Sequence, residues 1–242
     1  FPHHEANPLK EENTRYLQER VIKEKADLGI AFDADMDRVF FIDEKGERVE
    51  SSITAVLLID HFSEKIKKSC FVYNSMMSKI LVEIAKENKF RAVREKVGHA
   101  FMKKTMKKEG AFFGCEHSGH FFYQDNFFAD SGIITSLIVL ELFSQKRKQN
   151  KNYNFSDLFK NFKKYEMLNE KSFLVRKKET AYDDILNYFK NKNPLKIDHF
   201  DGLGFEFKEY WLHIRFSQTE PLLRLIVEAK NKKILEEKGG EI

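Results

Sequence analysis

The stretch Leu28–Asp43, LGIAFDADMDRVFFID, decides the reading of the chain, because an apolar run breaks into aspartates at alternate positions and then resumes. Leu28–Phe32 and Val39–Ile42 have strand character, which places Asp33, Asp35 and Asp37 in the turn between two strands. Alternation along extended backbone, closed by a tight turn, lets the three carboxylates converge on one point. They repel one another there unless a cation stands between them, and three hard oxygens with room for water or phosphate suit Mg2+. Arg38 follows at once, placed to meet an anion beside the metal. An EF-hand is a poor match: Asp33, Asp35, Asp37 and Glu44 occupy ligand positions of such a loop, but Arg38 stands where its glycine is required, and the flanks are strands. A polar hairpin turn without a ligand stays open on these residues alone.

Upstream, the pattern over residues 11–25 is helical, with Leu17, Val21 and Ile22 on one face. Downstream, a helix is expected over Ser52–Lys68 with Ser51 or Ser52 as its N-cap. An alternating order follows: strand Cys70–Tyr73, helix Lys79–Glu87, strand Arg91–Arg94, helix Ala100–Lys108, strand Ala111–Gly114, and a longer helix Ser131–Gln145. Strands alternating with helices predict βαβ units and a parallel sheet. The polar, basic stretch Ser144–Asn154 reads as a boundary. Beyond it, strands at Ser172–Val175, Phe205–Phe207, Trp211–Arg215 and Leu222–Ala229 surround a helix at Thr180–Asn191, with another from Asn231, which predicts a small α+β domain. The fold class is therefore α/β: a parallel-type βαβ sheet domain at 50–150, a C-terminal α+β domain at 151–242, and a partial α/β domain at 1–49.

Composition bounds the function. With 42% hydrophobic and 33% charged residues the chain can bury a core, and 42 basic against 38 acidic side chains give a mixed surface rather than one basic field. Nucleic acid is not an expected partner. Lys103, Lys104, Lys107 and Lys108 fall on one helix face and read as a solvated surface. Cys70 and Cys115 sit in apolar runs, which excludes a disulfide framework and reads as a cytoplasmic chain with reduced thiols. No apolar run approaches the ~20 residues needed to cross a bilayer, so no membrane partner is expected. The opening FPHHEANP, without an initiator Met, reads as the middle of a loop, and the chain as a fragment.

Three more constellations carry chemistry. Lys96, Gly98 and His99 lie at a strand-to-helix junction where helix amides and a cation can hold an anion. CEHSGH, Cys115–His120, puts Glu116, Ser118 and His120 directly after a strand, where α/β ligand sites gather, and Glu116 and Ser118 have the spacing to reach neighbouring sugar hydroxyls. RFSQTEPLLR, Arg215–Arg224, offers a guanidinium, the hydroxyls of Ser217 and Thr219, and loop amides, which suits a phosphate monoester. Each has a plainer reading as a cap, a loop or a turn; together they describe a phosphosugar site.

In this order the motifs resemble those of the α-D-phosphohexomutases, within them the phosphomannomutase/phosphoglucomutase branch. DADMDR resembles the family's Mg2+ loop, DGDGDR or DGDxDR; EKVGHAFMKK its KTGH segment; CEHSGH the sugar-recognising GEMSGH; and RFSQTEPLLRLIVEA the phosphate-binding RxSNTEPxxRxxxE. The resemblance implies reversible transfer of phosphate between C1 and C6 of a hexose phosphate, through a hexose 1,6-bisphosphate and a phosphoserine. It implies Mg2+ on Asp33, Asp35 and Asp37; catalytic roles for Arg38, Lys96, His99 and His120; and substrate binding by Glu116, Ser118, Arg215, Ser217, Gln218, Thr219 and Arg224. Ala34 and Met36 stand where the family has small glycines, and Cys115, His117 and Gln218 also depart from its pattern. No Ser here is followed by His-Asn-Pro, the setting of the family's phosphoserine, so the chain is expected to be inactive alone. Phosphoglucosamine mutase, and a noncatalytic sugar-phosphate or metal-binding module, are the alternatives; oligomeric state is not legible.

Overall fold

A computed structural model describes residues 1–217 and 220–241. The elements run α1 (Arg15–Glu24), β1 (Leu28–Phe32), β2 (Val39–Asp43), β3 (Arg48–Val49), α2 (Ser51–His61), α3 (Ser63–Lys67), β4 (Phe71–Asn74), α4 (Ile80–Glu87), β5 (Ala92–Glu95), α5 (His99–Glu109), β6 (Phe113–Cys115), β7 (Phe121–Tyr123), β8 (Ala129–Asp130) and α6 (Gly132–Gln149). They continue with β9 (Glu166–Leu174), α7 (Lys178–Lys190), β10 (Lys196–Asp198), β11 (Leu203–Glu206), β12 (Tyr210–Phe216), β13 (Leu222–Ala229) and α8 (Lys232–Glu241). Two compact units result, Phe1–Lys163 and Lys164–Ile242.

The first unit holds two sheets. β1, β2 and β3 form an antiparallel meander in which Leu28 pairs with Asp43 and Phe32 with Val39, so the aspartates do occupy a hairpin loop. β2 is the middle strand, and all five of its residues are buried, which is why its apolar run does not alternate with polar residues. The second sheet has the order β5-β4-β6-β7-β8. Its β5-β4-β6 part is parallel, as strand–helix alternation predicts, and β7 and β8 add an antiparallel edge.

Period-2 alternation sorts this sheet's faces. Val72 and Phe122 turn to α5, where Met102, Met106, Cys70 and Ala111 complete one core cluster. Phe113 and Tyr123 turn the other way and meet the ring of Phe62, which closes α2. Gly114 sits where a β-carbon would come within 2.5 Å of the Met106 sulfur, so a side chain there would force the buried Met106 side chain to move.

Two local expectations change. Glu50, not Ser51 or Ser52, precedes the first turn of α2, and both serines are helical with their hydroxyls committed elsewhere. The basic stretch read as a boundary is mostly the end of α6, whose last turn carries Lys146, Arg147 and Lys148 against the negative pole of the helix dipole. The first unit extends to Lys163 through a short 3-10 turn at Phe155–Leu158, whose buried Phe155 packs on Phe143 of α6 and Phe41 of β2.

In the second unit, five antiparallel strands run in the order β10-β11-β12-β13-β9. Leu212 and Ile214 of β12, with Leu223, Leu225 and Val227 of β13, fill a core that also takes in Phe189 of α7 and Leu235 of α8. The intervening residues turn to the opposite face, and Arg215 and Arg224 are direct cross-strand partners there.

Candidate active site

The aspartate hairpin is clasped by two other segments. Val39 N donates to Gly119 O at 3.1 Å, with an isolated bridge between Arg38 and His120, and Gly132 N at the start of α6 donates to Met36 O at 2.9 Å. Both contacts need glycine: a β-carbon on Gly119 would lie 2.7 Å from the Phe40 ring, and one on Gly132 would lie 2.8 Å from Arg38 O and 2.9 Å from Met36 O. Met36 itself adopts φ 61°, the left-handed region, which explains why a glycine is at home at this position of such a loop.

Oxygens of Asp33, Asp35 and Asp37 lie within 4.8 Å of one another. The Asp33 side chain is 2% exposed, and takes Arg38 Nε on Oδ2 at 2.6 Å and Arg38 N on Oδ1 at 3.1 Å. Burial raises the Asp33 carboxyl, but the hydrogen bonds from Arg38 outweigh it and leave the group below its ordinary value. Arg38 also gives an NH1 proton to Asn7 Oδ1 at 3.1 Å. Asp37 is left over. Its Oδ1 is buried with no hydrogen-bond partner, and burial together with the negative charge of Asp33, Asp35 and Asp130 lifts its carboxyl to about 7. Three hard oxygens, one of them an orphaned acceptor and one carboxyl held near neutrality, fit a divalent cation.

The CEHSGH loop lies against this hairpin. His120 stands with Nε2 at 3.5 Å from Asp37 Oδ2 and 3.8 Å from Asp130 Oδ2, and with Nδ1 at 2.8 Å from Ser118 Oγ and 3.4 Å from Glu116 Oε2. Burial holds the imidazole below its usual value against the pull of Glu116 and Asp130, which favours the neutral ring. Glu116, 2% exposed, accepts from Gly98 N at 2.9 Å and from Asn74 Nδ2 at 3.2 Å. The junction that carries Lys96 and His99 is thereby joined to the Glu116 loop, with both side chains exposed.

Unit two carries the remaining candidates. Arg215 Nε is 3.3 Å from Asp201 Oδ2, and Arg224 reaches Glu220 at 3.1 Å and Glu170 at 3.8 Å while its Nε is buried without a partner. Burial raises the Glu170 carboxyl despite the nearby Arg224 and Arg215. Ser217 Oγ accepts from Glu220 N at 3.1 Å, and its carbonyl accepts from Lys178 Nζ. Gln218 and Thr219 lie outside the described residues.

The structure thus brings Asp33, Asp35, Asp37, Arg38, Glu116, Ser118 and His120 into one corner of the first unit, and Arg215, Ser217 and Arg224 onto one strand pair and its loop. Sequence reasoning missed Asp130, which meets both His120 and Lys103, the latter at 2.8 Å. One of the lysines read as a solvated face is therefore tied to the site. An acid directly before a Ser-Gly helix start was the available signal. Asn7 and Asn74 were missed as well, and no pattern marked them.

Among known proteins, residues 50–165 match the family described as phosphoglucomutase/phosphomannomutase, alpha/beta/alpha domain III, and residues 1–46 match its domain II. The chain is 31% identical over 242 residues to a phosphomannomutase of Methanocaldococcus jannaschii, covering 100% of this chain and 52% of that protein. It is 34% identical over 231 residues to a phosphomannomutase of Escherichia coli K12, covering 95% and 49%. It therefore spans about half the length of the curated relatives it matches. A phosphoglucomutase/phosphomannomutase family protein of Burkholderia thailandensis superposes with a TM-score of 0.81 at 22% identity, over 98% of this chain and 50% of that one. With two consecutive family domains matched, the four motifs in order and the fold shared, the chain belongs to the α-D-phosphohexomutase family.

Proposed function

We propose that the chain supplies the metal, sugar and phosphate sites of a phosphomannomutase/phosphoglucomutase, which interconverts hexose 1-phosphate and hexose 6-phosphate through a phosphoserine and a hexose 1,6-bisphosphate. Residues 1–49, 50–150 and 151–242 then act as parts of the family's second, third and fourth domains. The observation that carries the reading is the joining of the Asp33–Arg38 hairpin to the Glu116–His120 loop by backbone hydrogen bonds, which puts a cation site beside a carboxylate, a hydroxyl and a neutral imidazole.

Asp33, Asp35 and Asp37 would hold Mg2+, which when bound offsets negative charge on a transferring phosphoryl group. Arg38, fixed by Asp33 and Asn7, presents its remaining N–H groups to a phosphate oxygen. Glu116 and Ser118 read adjacent sugar hydroxyls. His120, bonded to Ser118, holds or passes a proton at Nδ1, while Lys96 and His99 add positive and polar groups from the neighbouring junction. Arg215 and Ser217, with Gln218, Thr219 and Arg224, grip a phosphate that is not reacting. The two cysteines are free and buried, in keeping with a cytoplasmic protein, and no helix among the described residues is long and apolar enough to cross a membrane.

Calorimetric titration of the chain with mannose 1-phosphate and glucose 1,6-bisphosphate in Mg2+ tests this. Saturable binding weakened by both Glu116→Ala and Arg215→Ala is the expected result, with no steady-state turnover by these residues alone. A folded chain that binds neither sugar phosphate contradicts the reading.

A further inference from the structure

Asn74 ends β4, the strand hydrogen-bonded on both sides in the parallel part of the second sheet, and its side chain is 1% exposed. A buried amide must satisfy both of its ends. Here the ends are used with opposite polarity: Nδ2 donates to Glu116 Oε1 at 3.2 Å, while Oδ1 accepts from Met76 N at 3.2 Å and His117 N at 3.5 Å. Flipping the amide would set oxygen against carboxylate and NH2 against two backbone N–H groups, so only one orientation fits. Gly98 N donates to the same Glu116 oxygen at 2.9 Å.

The consequence for Glu116 is geometric. Two donors saturate Oε1 and fix the carboxylate plane, which leaves Oε2 on the side of His120, 3.4 Å from its Nδ1. These contacts join the carboxyl ends of three adjacent parallel strands: Asn74 closes β4, Gly98 lies between β5 and α5, and Glu116 follows β6. Ligands of open α/β sheets gather at such ends.

We infer that Asn74 is a positioning residue that aims the Glu116 carboxylate at the hydroxyls of a bound hexose phosphate, and so governs recognition of the sugar rather than of the metal or the phosphate. The inference rests on Glu116 being a sugar-reading group, as proposed above. An aspartate at position 74 keeps the shape and the acceptor end but sets a second carboxyl against Glu116. When that carboxyl is protonated it donates as the amide does; when ionised it repels.

The test uses the whole chain with mannose 1-phosphate and, separately, inorganic phosphate as probes, in Mg2+, at pH 5.5 and pH 8, with N74D, N74A and E116A. Charge-assisted hydrogen bonds of this type predict that N74D binds the sugar phosphate about tenfold more weakly than the unaltered chain at pH 8 and about equally at pH 5.5, with inorganic phosphate unaffected at either pH. N74A should be weak at both. A loss of folding alone would lower both probes together and would not vary with pH in this way. Equal sugar-phosphate affinity in N74D and the unaltered chain at pH 8, while E116A binds weakly, overturns the role of Asn74. Undiminished binding in E116A overturns instead the reading of Glu116 as a sugar group. Hydrogen exchange of the Gly98 amide gives a second, ligand-free answer: protection should fall by about tenfold in N74A with the β7 amides unchanged, because a released Glu116 no longer holds that N–H. Unchanged Gly98 protection in N74A means Asn74 does not set Glu116.

Discussion

The Asp33–Arg38 hairpin and the Arg215–Arg224 strand pair are opposites of the same kind. Each forces like charges together, three carboxylates in one case and two cross-strand guanidiniums in the other, and each retains one buried polar atom with no hydrogen-bond partner, Asp37 Oδ1 and Arg224 Nε. They differ in how the charge is relieved. A carboxyl can take a proton, and Asp37 does so near pH 7; a guanidinium cannot lose one, so the arginines stand against resident acids, Asp201, Glu170 and Glu220. On the proposed function, the hairpin would hold its cation with a strength that depends on pH. The arginine pair would meet an anion with a charge that does not change over the physiological range.

The largest expected effect lies in the backbone clasp, where Gly132 lets the start of α6 close on the hairpin. Gly132→Val would press a side chain into the carbonyls of Arg38 and Met36 and destabilise the first unit by about 3 kcal/mol in denaturant unfolding, while expelling the hairpin from its seat. A fully stable variant would show that the hairpin needs no such support.

Next come the counter-charges. Arg38→Met strands a buried Asp33 and should cost about 3 kcal/mol at pH 8. Because the folded-state value of Asp33 is depressed, its stabilising contribution exists above the unfolded value near 4 and fades as pH falls through the folded value. The cost of Arg38→Met should shrink over that acid range. Asp201→Asn removes one of the acids that face Arg215 and should cost less, about 1 kcal/mol. A cost of Arg38→Met that does not shrink in acid would contradict the role given to Asp33.

The effect at Asp37 has the opposite sign. Its folded-state value, about 7, lies above the unfolded one, so the folded chain holds the extra proton between roughly pH 4 and 7. Stability contributed by that proton is present below the unfolded value and is lost as pH rises through 7. Asp37→Asn should therefore raise the unfolding midpoint relative to the unaltered chain at pH 8 more than at pH 5, without added metal, and saturating Mg2+ should narrow the gap.

How much of this could be read from the sequence follows from the range of the interactions. The hairpin was legible because its signal is local: two apolar runs, three alternate aspartates and an arginine within sixteen residues, Leu28–Asp43. Leu28–Phe32 and Leu222–Ala229 have the expected bounds. β7 and β8 were not anticipated, because strands of 3 and 2 residues offer too few positions to show a period. The end of α6 was read as a boundary because its basic residues look like loop composition, although such residues are favoured at a helix C-terminus. The partners of the site side chains are the least legible part: Asn7 to Arg38, Asn74 to Glu116 and Lys103 to Asp130 span 31, 42 and 27 positions, with no pattern in the chain that links them.

The most direct measurement is a calorimetric titration of the chain with MgCl2 at pH 8 and pH 6, alongside Asp35→Asn, which changes an exposed ligand and leaves the Asp33–Arg38 bond in place. The account predicts one saturable site, weaker at pH 6 with protons released on binding, and lost in Asp35→Asn. A folded chain that takes up no Mg2+ at millimolar concentration, or whose uptake is unchanged by Asp35→Asn, would contradict it.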